Sequence, residues 1–252
     1  MPNAAQAEAP AAPPAPAADA KDEHAAQQLG TPGSDQPETA ADSAGAEPQA
    51  APRTAHELHP ELLDPSRART AAPERYTVLF QTTRGELHLD VRRSWAPHAA
   101  DRLYNLVRIG YFDDTAFHRV LAGFVAQAGI SGDPLVNRAW RGQRIEADPV
   151  AQSNVRGMVS FAASGKTGRT TQFIIDLADN PRLDAAGFAP LGRIRELDVA
   201  QRLYAGYGEP APGGHGPILA RMEHEGNAYL RAAFPKLDYI QQATISDEKR
   251  VP

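Results

Sequence analysis

Short stretches in which apolar and polar residues alternate begin at residue 76 and recur through most of the remaining chain. A period of two is typical of half-buried β-strands. Residues 76–81 and 86–91 alternate on both sides of Thr83–Gly85, which predicts a β-hairpin with a tight turn. Further strands are predicted around residues 116–121, 124–128, 157–163, 172–177 and 188–194.

Two segments have helical spacing instead. Residues 97–109 place Pro97 in the first turn and Gly110 just past the end, and residues 196–204 are followed by Gly206. Many strands with two helices predict a mostly β protein, a closed antiparallel sheet whose open ends the helices cover. The other segments are predicted as irregular over 132–149 and 208–217, and as a strand, a short helix near 228–234 and a final strand over 218–245.

The first part of the chain has a composition that does not support a folded core. Residues 1–52 contain 18 Ala and 9 Pro and no Phe, Trp, Tyr, Ile or Val. Such a segment cannot bury enough apolar surface to offset the entropy that ordering costs. We therefore predict a disordered Ala/Pro-rich tether over residues 1–70 and a folded domain over residues 71–252; the alternative is a low-complexity tail without a role.

Composition also limits the chemistry and the compartment. The chain has no Cys, which excludes disulfides, thiolate catalysis and Cys-ligated metal centres. A net charge of −5 argues against nucleic acid as the partner. The first basic residue is Lys21, and no apolar run approaches the ~18 residues of a membrane span. We expect no transmembrane segment, and a cytoplasmic location unless an export signal was removed, in which case the bacterial periplasm or cell envelope.

Two sequence blocks carry the candidate chemistry. Phe117–Val120 is followed by Gly123–Gln127, and Ser160–Ala162 is followed by Gln172–Ile174. On neighbouring strands these blocks would bring one arginine, two glutamines and several apolar side chains to one surface. No acid pair and no phosphate loop lies beside them. A site made of a fixed cation, amides and apolar groups can perform few kinds of reaction.

These blocks resemble the signature motifs of the cyclophilins, the peptidyl-prolyl cis–trans isomerases. The resemblance runs from about Tyr76 to Gly208 in the family's own order, with residues 209–252 as a C-terminal extension. It implies a closed antiparallel eight-stranded β-barrel capped by two α-helices, and catalysis of rotation about X-Pro bonds in protein clients. Further matching motifs are Gly110–Asp113, Asn180–Asp184 and Leu191–Ile194.

The resemblance also implies a role for individual residues. The implied catalytic residues are Arg119, at the position of the family's essential arginine, and Gln127, at that of the glutamine beside it. The implied proline-pocket residues are Phe124, Val125, Ile174, Leu183 and Phe188, and the implied peptide-groove residues are Ala162, Ala163 and Gln172. Departures from the commonest pattern are Val125 for Met, Ile174 for Phe, Ala163 for Asn, Phe188 for His, Ala128 within a Gly-Gly pair, and Arg182 for the Trp that marks high cyclosporin affinity.

The residue types suit this reaction when it is considered on its own. Rotating an amide breaks C–N resonance, with a barrier of ~18–20 kcal/mol for an ordinary peptide bond. In the twisted transition state the prolyl nitrogen gains a localised lone pair, and a donor aimed at that lone pair stabilises only this state. Arg119 is always protonated and presents a rigid fork of donors. The reaction needs no nucleophile, proton shuttle, metal or cofactor, and we expect none.

Other conspicuous residues have ordinary explanations. His118 would serve no purpose as an acid or base in a reaction without proton transfer, so we expect it to be packed and hydrogen-bonded. Trp140 is predicted to lie in a loop with loose packing. Gly165–Thr167 lacks the glycine that a nucleotide loop needs five positions earlier, and His56 and His59 have no rigid frame that would hold a metal.

The sequence leaves three candidate functions. The first is an isomerase that assists the folding of proline-containing polypeptide clients, as a monomer. The second is a non-catalytic proline-peptide-binding or scaffolding module of the same fold; the intact Arg119 and Gln127 favour the first. A β-barrel carrier of a small ligand offers no reason for a cation on a groove wall.

Overall fold

The structure, a computed structural model, describes residues 59–163 and 168–249. The predicted tether as far as residue 58 and the segment Gly165–Thr167 therefore lie outside the described residues.

Within the described ranges, one antiparallel sheet of nine strands forms the body of the domain, in the order β3-β9-β1-β2-β8-β6-β7-β5-β4. Its first two strands form the predicted hairpin, with Thr82 opposite Gly85. Leu87, Leu89 and Val91 alternate with more exposed residues and point into the core, as their spacing predicts. The strands are β1 (Arg75–Thr82), β2 (Gly85–Arg92), β3 (Thr115–Ala116), β4 (Arg119–Val120), β5 (Val125–Ala128), β6 (Met158–Phe161), β7 (Phe173–Asp176), β8 (Pro190–Ile194) and β9 (Tyr239–Lys249).

The two outermost strands of this sheet are neighbours in the chain. Only Phe117 and His118 separate β3 from β4, so the two ends of the sheet must meet and the sheet curls on itself. The mostly β, antiparallel fold agrees with the sequence prediction. The structure has nine strands rather than the predicted eight, and among the described residues no hydrogen-bonded ladder joins β3 to β4.

Six α-helices lie in the described residues, where the sequence predicted two longer helices and a short one near residues 228–234. The long α2 begins at Pro97 and ends before Gly110, as predicted, and buries Leu103, Leu106 and Val107. Helix α5 lies within the helix predicted over 196–204, and α6 includes the short helix predicted near 228–234 and begins earlier, at Leu219. The other three have four to seven residues. The helices are α1 (Pro60–Leu63), α2 (Pro97–Arg108), α3 (Pro134–Trp140), α4 (Arg182–Ala185), α5 (Leu197–Gln201) and α6 (Leu219–Ala233), with 3₁₀ turns at Pro65–Arg67 and Arg93–Trp95.

Helix α3 corrects the prediction of an irregular segment over residues 132–149. The Asp133 carboxylate accepts a hydrogen bond from the Leu135 amide, and Pro134 occupies the first turn. Trp140, predicted to be loosely packed in a loop, is buried at the end of this helix. Its indole Nε1 donates to the Leu62 carbonyl oxygen at 3.0 Å.

Residues 59–70 fold onto the domain, although the sequence prediction assigned them to the tether. Leu62 is only 2 % exposed and belongs to the main hydrophobic core. Farther along, the Asn105 side chain accepts from the Thr70 amide and donates to the Thr70 carbonyl oxygen. The ordered domain therefore begins before residue 71.

The C-terminal segment is part of the sheet rather than an appendage. Strand β9 pairs with β1 from Thr82 to Arg75 and also with β3. The strand predicted near residue 218 is replaced by α6, which is interrupted at Gly226, where φ is 59°. A Cβ atom at Gly226 would lie 2.2 Å from the Gly132 carbonyl oxygen, so this close approach requires glycine.

In the part of the chain with described structure, no helix has both the length and the apolar character needed to cross a membrane.

Candidate functional site

The hairpin formed by β4 and β5 holds the two polar residues of the site side by side. Arg119 pairs with Gln127 and Val120 with Ala126, so the side chains of Arg119 and Gln127 are on the same face. The connecting turn closes when the Phe124 amide donates to the Leu121 carbonyl oxygen at 2.9 Å. Gly123 has φ of 72° in this turn, a conformation that glycine adopts without strain.

A chain of polar contacts orders this face. The Arg119 Nη1 donates to Gln127 Oε1 at 3.3 Å, and Gln127 Nε2 donates to Gln172 Oε1 at 2.8 Å. Strand β7 makes the second contact possible because Gln127 lies opposite Ile174, which puts Gln172 on the diagonal of the same face. The arginine and both glutamines thus form one connected group.

A small apolar cavity opens beside Arg119. Its floor is the buried cluster of Val125, Ile174 and Leu183, against which Phe124 and Phe188 pack. The cavity volume is about 220 Å³, below the ~300–1,000 Å³ usual for drug-sized ligands, and it suits a single apolar side chain. The residues that line it are Arg119, Phe124, Val125, Gln127, Ala162, Ala163, Ile174, Leu183 and Phe188.

The structure therefore brings together the residues that the sequence singled out. Gln172 does not line the cavity and reaches the site through Gln127. Arg182 is exposed at the rim, with its guanidinium carbon 4.4 Å from the centre of the Phe124 ring. Arg119 lies 5.7 Å from the same ring, so Phe124 is flanked by two cations.

Glu209 is a site residue that the sequence reasoning missed. Its Oε2 accepts from Arg119 Nε and its Oε1 accepts from Arg119 Nη2, both at 2.6 Å. The hydrogen bonds from Arg119 hold the pKa of the Glu209 carboxyl below its usual range. Glu209 lies ninety residues after Arg119, in the segment predicted as a loop, and a lone Glu there carries no signal of this contact.

Two buried titratable groups lie close to the site along the chain. His118 is almost fully buried, and burial lowers its pKa to about 4. It is packed as predicted, but neither ring nitrogen has a hydrogen-bond partner among the described residues. Asp176 at the end of β7 is also buried, and burial raises its pKa to about 7 although Asn180 donates to it at 2.7 Å.

The geometry limits what this site can do chemically. A guanidinium held at the rim of an apolar cavity can donate hydrogen bonds to a group whose apolar part fills the cavity. The described residues contain no cluster of three or more His, Asp or Glu that could hold a metal ion. Fold and site together define a curled-sheet protein with an apolar cavity beneath a fixed cation.

Comparison with known proteins identifies the family. Residues 77–205 match the family described as cyclophilin-type peptidyl-prolyl cis–trans isomerase, and the chain belongs to this family. Peptidyl-prolyl cis-trans isomerase A of Dickeya dadantii is 33% identical over 141 residues, covering 50% of this chain and 70% of that protein. Peptidyl-prolyl cis-trans isomerase-like 1 of Rhizopus delemar is 31% identical over 134 residues, covering 52% of this chain and 81% of that protein.

The fold has a solved counterpart. The crystal structure of a Cryptosporidium parvum cyclophilin-type isomerase superimposes with a TM-score of 0.51 at 20% identity, covering 69% of this chain and 99% of that one. The family match ends at residue 205, so α6, β9 and the Glu209 segment lie beyond it.

Proposed function

We propose that this chain catalyses cis–trans isomerisation of X-Pro peptide bonds in polypeptide clients, with Arg119 as the catalytic residue. The observation that carries the proposal is the position of the Arg119 guanidinium at the rim of the apolar cavity, with Gln127 beside it. Uncatalysed X-Pro exchange takes tens to hundreds of seconds, slow enough to limit folding.

The proline ring of the client would occupy the cavity. Phe124, Val125 and Ile174 supply apolar walls, and binding there removes the ring from water. With the ring held, the residue before proline can rotate in the open part of the groove. Leu183 and Phe188 complete the proposed pocket, and Ala162 and Ala163 form the proposed peptide groove beside it. Gln172 belongs to the proposed groove through its contact with Gln127.

Arg119 would lower the barrier by a differential hydrogen bond. Rotation weakens C–N resonance and leaves a lone pair on the prolyl nitrogen that the planar ground state does not have. Of the five N–H bonds of Arg119, the described contacts use Nε–H, one on Nη1 and one on Nη2. One N–H on Nη1 and one on Nη2 remain for the client.

The test is an isomerisation assay with a proline-containing chromogenic peptide. Wild type should accelerate exchange above the uncatalysed rate, and Arg119→Ala should lower kcat/KM about 100-fold, the scale of losing one preorganised donor. Arg119→Lys keeps the charge but not the fork and should recover only part of the activity. Thermal unfolding of each variant checks that the fold is intact.

The same assay separates the isomerase from a scaffolding module. If wild type shows no acceleration, or if Arg119→Ala equals wild type, the proposal fails. Binding of the peptide without acceleration, measured by calorimetry, would then identify a non-catalytic proline-peptide-binding module.

A further inference from the structure

The segment that carries Glu209 meets the edge strand β4 at a single β-bridge. Val120 and Gly208 form an antiparallel bridge beside β4. In antiparallel pairing, one step back on β4 matches one step forward on the other segment, so Arg119 faces Glu209. Arg119 thus lies between two cross-strand neighbours, Gln127 on β5 and Glu209 on the other side.

Backbone contacts hold this segment in place. The Gly208 amide donates to the Ala205 carbonyl oxygen at 3.1 Å, and the Gly216 amide donates to the Glu209 carbonyl oxygen at 2.8 Å. Pro210 and Gly216 form a second bridge, which closes the loop on itself. These hydrogen bonds and the bridge fix the backbone around Glu209, and with it the position from which the Glu209 carboxylate reaches Arg119.

The contact with Arg119 has the geometry that restrains a guanidinium most strongly. Two parallel hydrogen bonds, each 2.6 Å, join the Nε and Nη2 edge of Arg119 to both carboxylate oxygens of Glu209. The Gln127 amide accepts from the remaining side, at Nη1. With three of its nitrogens engaged, the plane of the guanidinium cannot turn about its own side-chain bonds without breaking these contacts.

Stability alone does not account for this pair. The side chain of Arg119 is 19% exposed and that of Glu209 is 45% exposed. Ion pairs this accessible to solvent contribute little to the free energy of folding. A pair that orders the cation lining the cavity is better explained by what that cation does.

We propose that Glu209 is a positioning residue for the isomerisation: by holding the Nε and Nη2 edge of Arg119, it aims the two unused N–H bonds at the prolyl nitrogen. This inference rests on the proposed function of Arg119. It assigns a role in that site to a residue outside the matched family segment, and it predicts that the effect of Glu209 passes entirely through Arg119.

The test is the isomerisation assay with Glu209→Gln, which keeps the length of the side chain but not the charged bidentate contact. We expect kcat/KM to fall about tenfold, which is less than the ~100-fold loss that a full 1 Å misplacement can cause. Most of the loss should be in kcat, and KM should stay within twofold of wild type. Glu225→Gln is the matched control, because Glu225 holds Arg221 by the same bidentate pattern on α6, outside the cavity. This control should match wild type.

A double-mutant cycle separates positioning from other effects. In an Arg119→Ala background, Glu209→Gln should change kcat/KM by less than twofold. In ¹⁵N NMR spectra, the Arg119 Nε–H resonance, identified by its loss in Arg119→Lys, should exchange faster with solvent in Glu209→Gln.

The failures of the two proposals are distinguishable. A wild type that does not accelerate exchange defeats the proposed function in the Arg119 experiment. An active wild type whose Glu209→Gln variant has kcat/KM within twofold of it, or above it, overturns only the role of Glu209. A tenfold loss that persists in the Arg119→Ala background overturns it as well.

Discussion

Gln127 donates its side-chain Nε2 to Gln172 Oε1 at 2.8 Å, and this contact decides which end of the Gln127 amide faces Arg119. With the nitrogen turned toward Gln172, the Gln127 oxygen is left to accept from the Arg119 guanidinium. An amide turned the other way would set N–H groups against a cation that has only donors. Gln172 therefore helps to orient Arg119 without contacting it.

Gln172→Leu should lower kcat/KM several-fold, because the Gln127 amide loses the acceptor that fixes its orientation. Gln172→Glu keeps an acceptor at the same position and should stay within about twofold of wild type. The isomerisation assay measures both variants, and their thermal unfolding midpoints should be alike. Equal activity of the Leu and Glu variants would mean that the Gln127 orientation is held by something else.

The raised pKa of Asp176 predicts that ionisation of this carboxyl lowers the free energy of unfolding as the pH rises. Its folded pKa of about 7 lies above its unfolded value of 3.8, so between these values the folded chain binds the proton more tightly than the unfolded chain. Asp176→Asn removes the charge and keeps an acceptor for Asn180. The variant should be more stable than wild type by on the order of 2 kcal/mol at pH 8, and the gap should shrink toward pH 4.

Urea unfolding of Asp176→Asn and wild type across this pH range measures that gap. A difference between the two proteins that is the same at pH 4 and pH 8 would contradict a titrating Asp176.

The lowered pKa of His118 predicts the opposite pH dependence of the free energy of unfolding. Its folded pKa of about 4 lies below its unfolded value of 6.5, so protons bind the unfolded chain preferentially and stability falls as the pH drops through this window. His118→Phe replaces the ring by one that does not titrate. Its unfolding free energy relative to wild type should rise as the pH falls from 7 to 4, whatever the offset at neutral pH. A constant offset measured over this range would show that His118 is already protonated or is not buried.

Leu62 and Leu63 test where the domain begins. Leu62→Ala should cost about 2–5 kcal/mol of unfolding free energy, because it removes a side chain that is 2 % exposed in the main core. Leu63→Ala is the control: this neighbour is 45 % exposed and should change stability by no more than ~0.5 kcal/mol. Equal, small effects of the two variants on denaturant unfolding would mean that residues 59–70 belong to the tether and not to the folded domain.

The strands could be predicted from the sequence because their signals are local, and the cavity residues because the motifs that carry them resemble those of the cyclophilins. Alternation over residues 76–81 and 86–91 marks β1 and β2, and the motifs around Arg119 and Gln172 fall on paired strands. Helix α3 has only seven residues, too few to establish a period, although Asp133 and Pro134 form a recognisable start signal.

The parts that were not predicted depend on contacts between residues distant in the chain, or lie next to a segment whose composition suggests disorder. Leu62 lies at the end of a long Ala- and Pro-rich stretch, whose composition hides one apolar anchor. Glu209 meets Arg119 only because a bridge at Gly208 sets the register of its segment against β4. Residue types alone do not reveal such a pairing, because the register of the backbone decides which Glu residue lies opposite Arg119.

Strand β9 has a consequence for how the domain is made. It pairs along β1, yet the ribosome synthesises it after every other strand of the sheet. Until β9 arrives, β1 has one open edge, and an unpaired strand edge readily joins another chain. A newly made copy is therefore vulnerable to association late in its synthesis, and a chain that ends before residue 239 keeps this edge of β1 open.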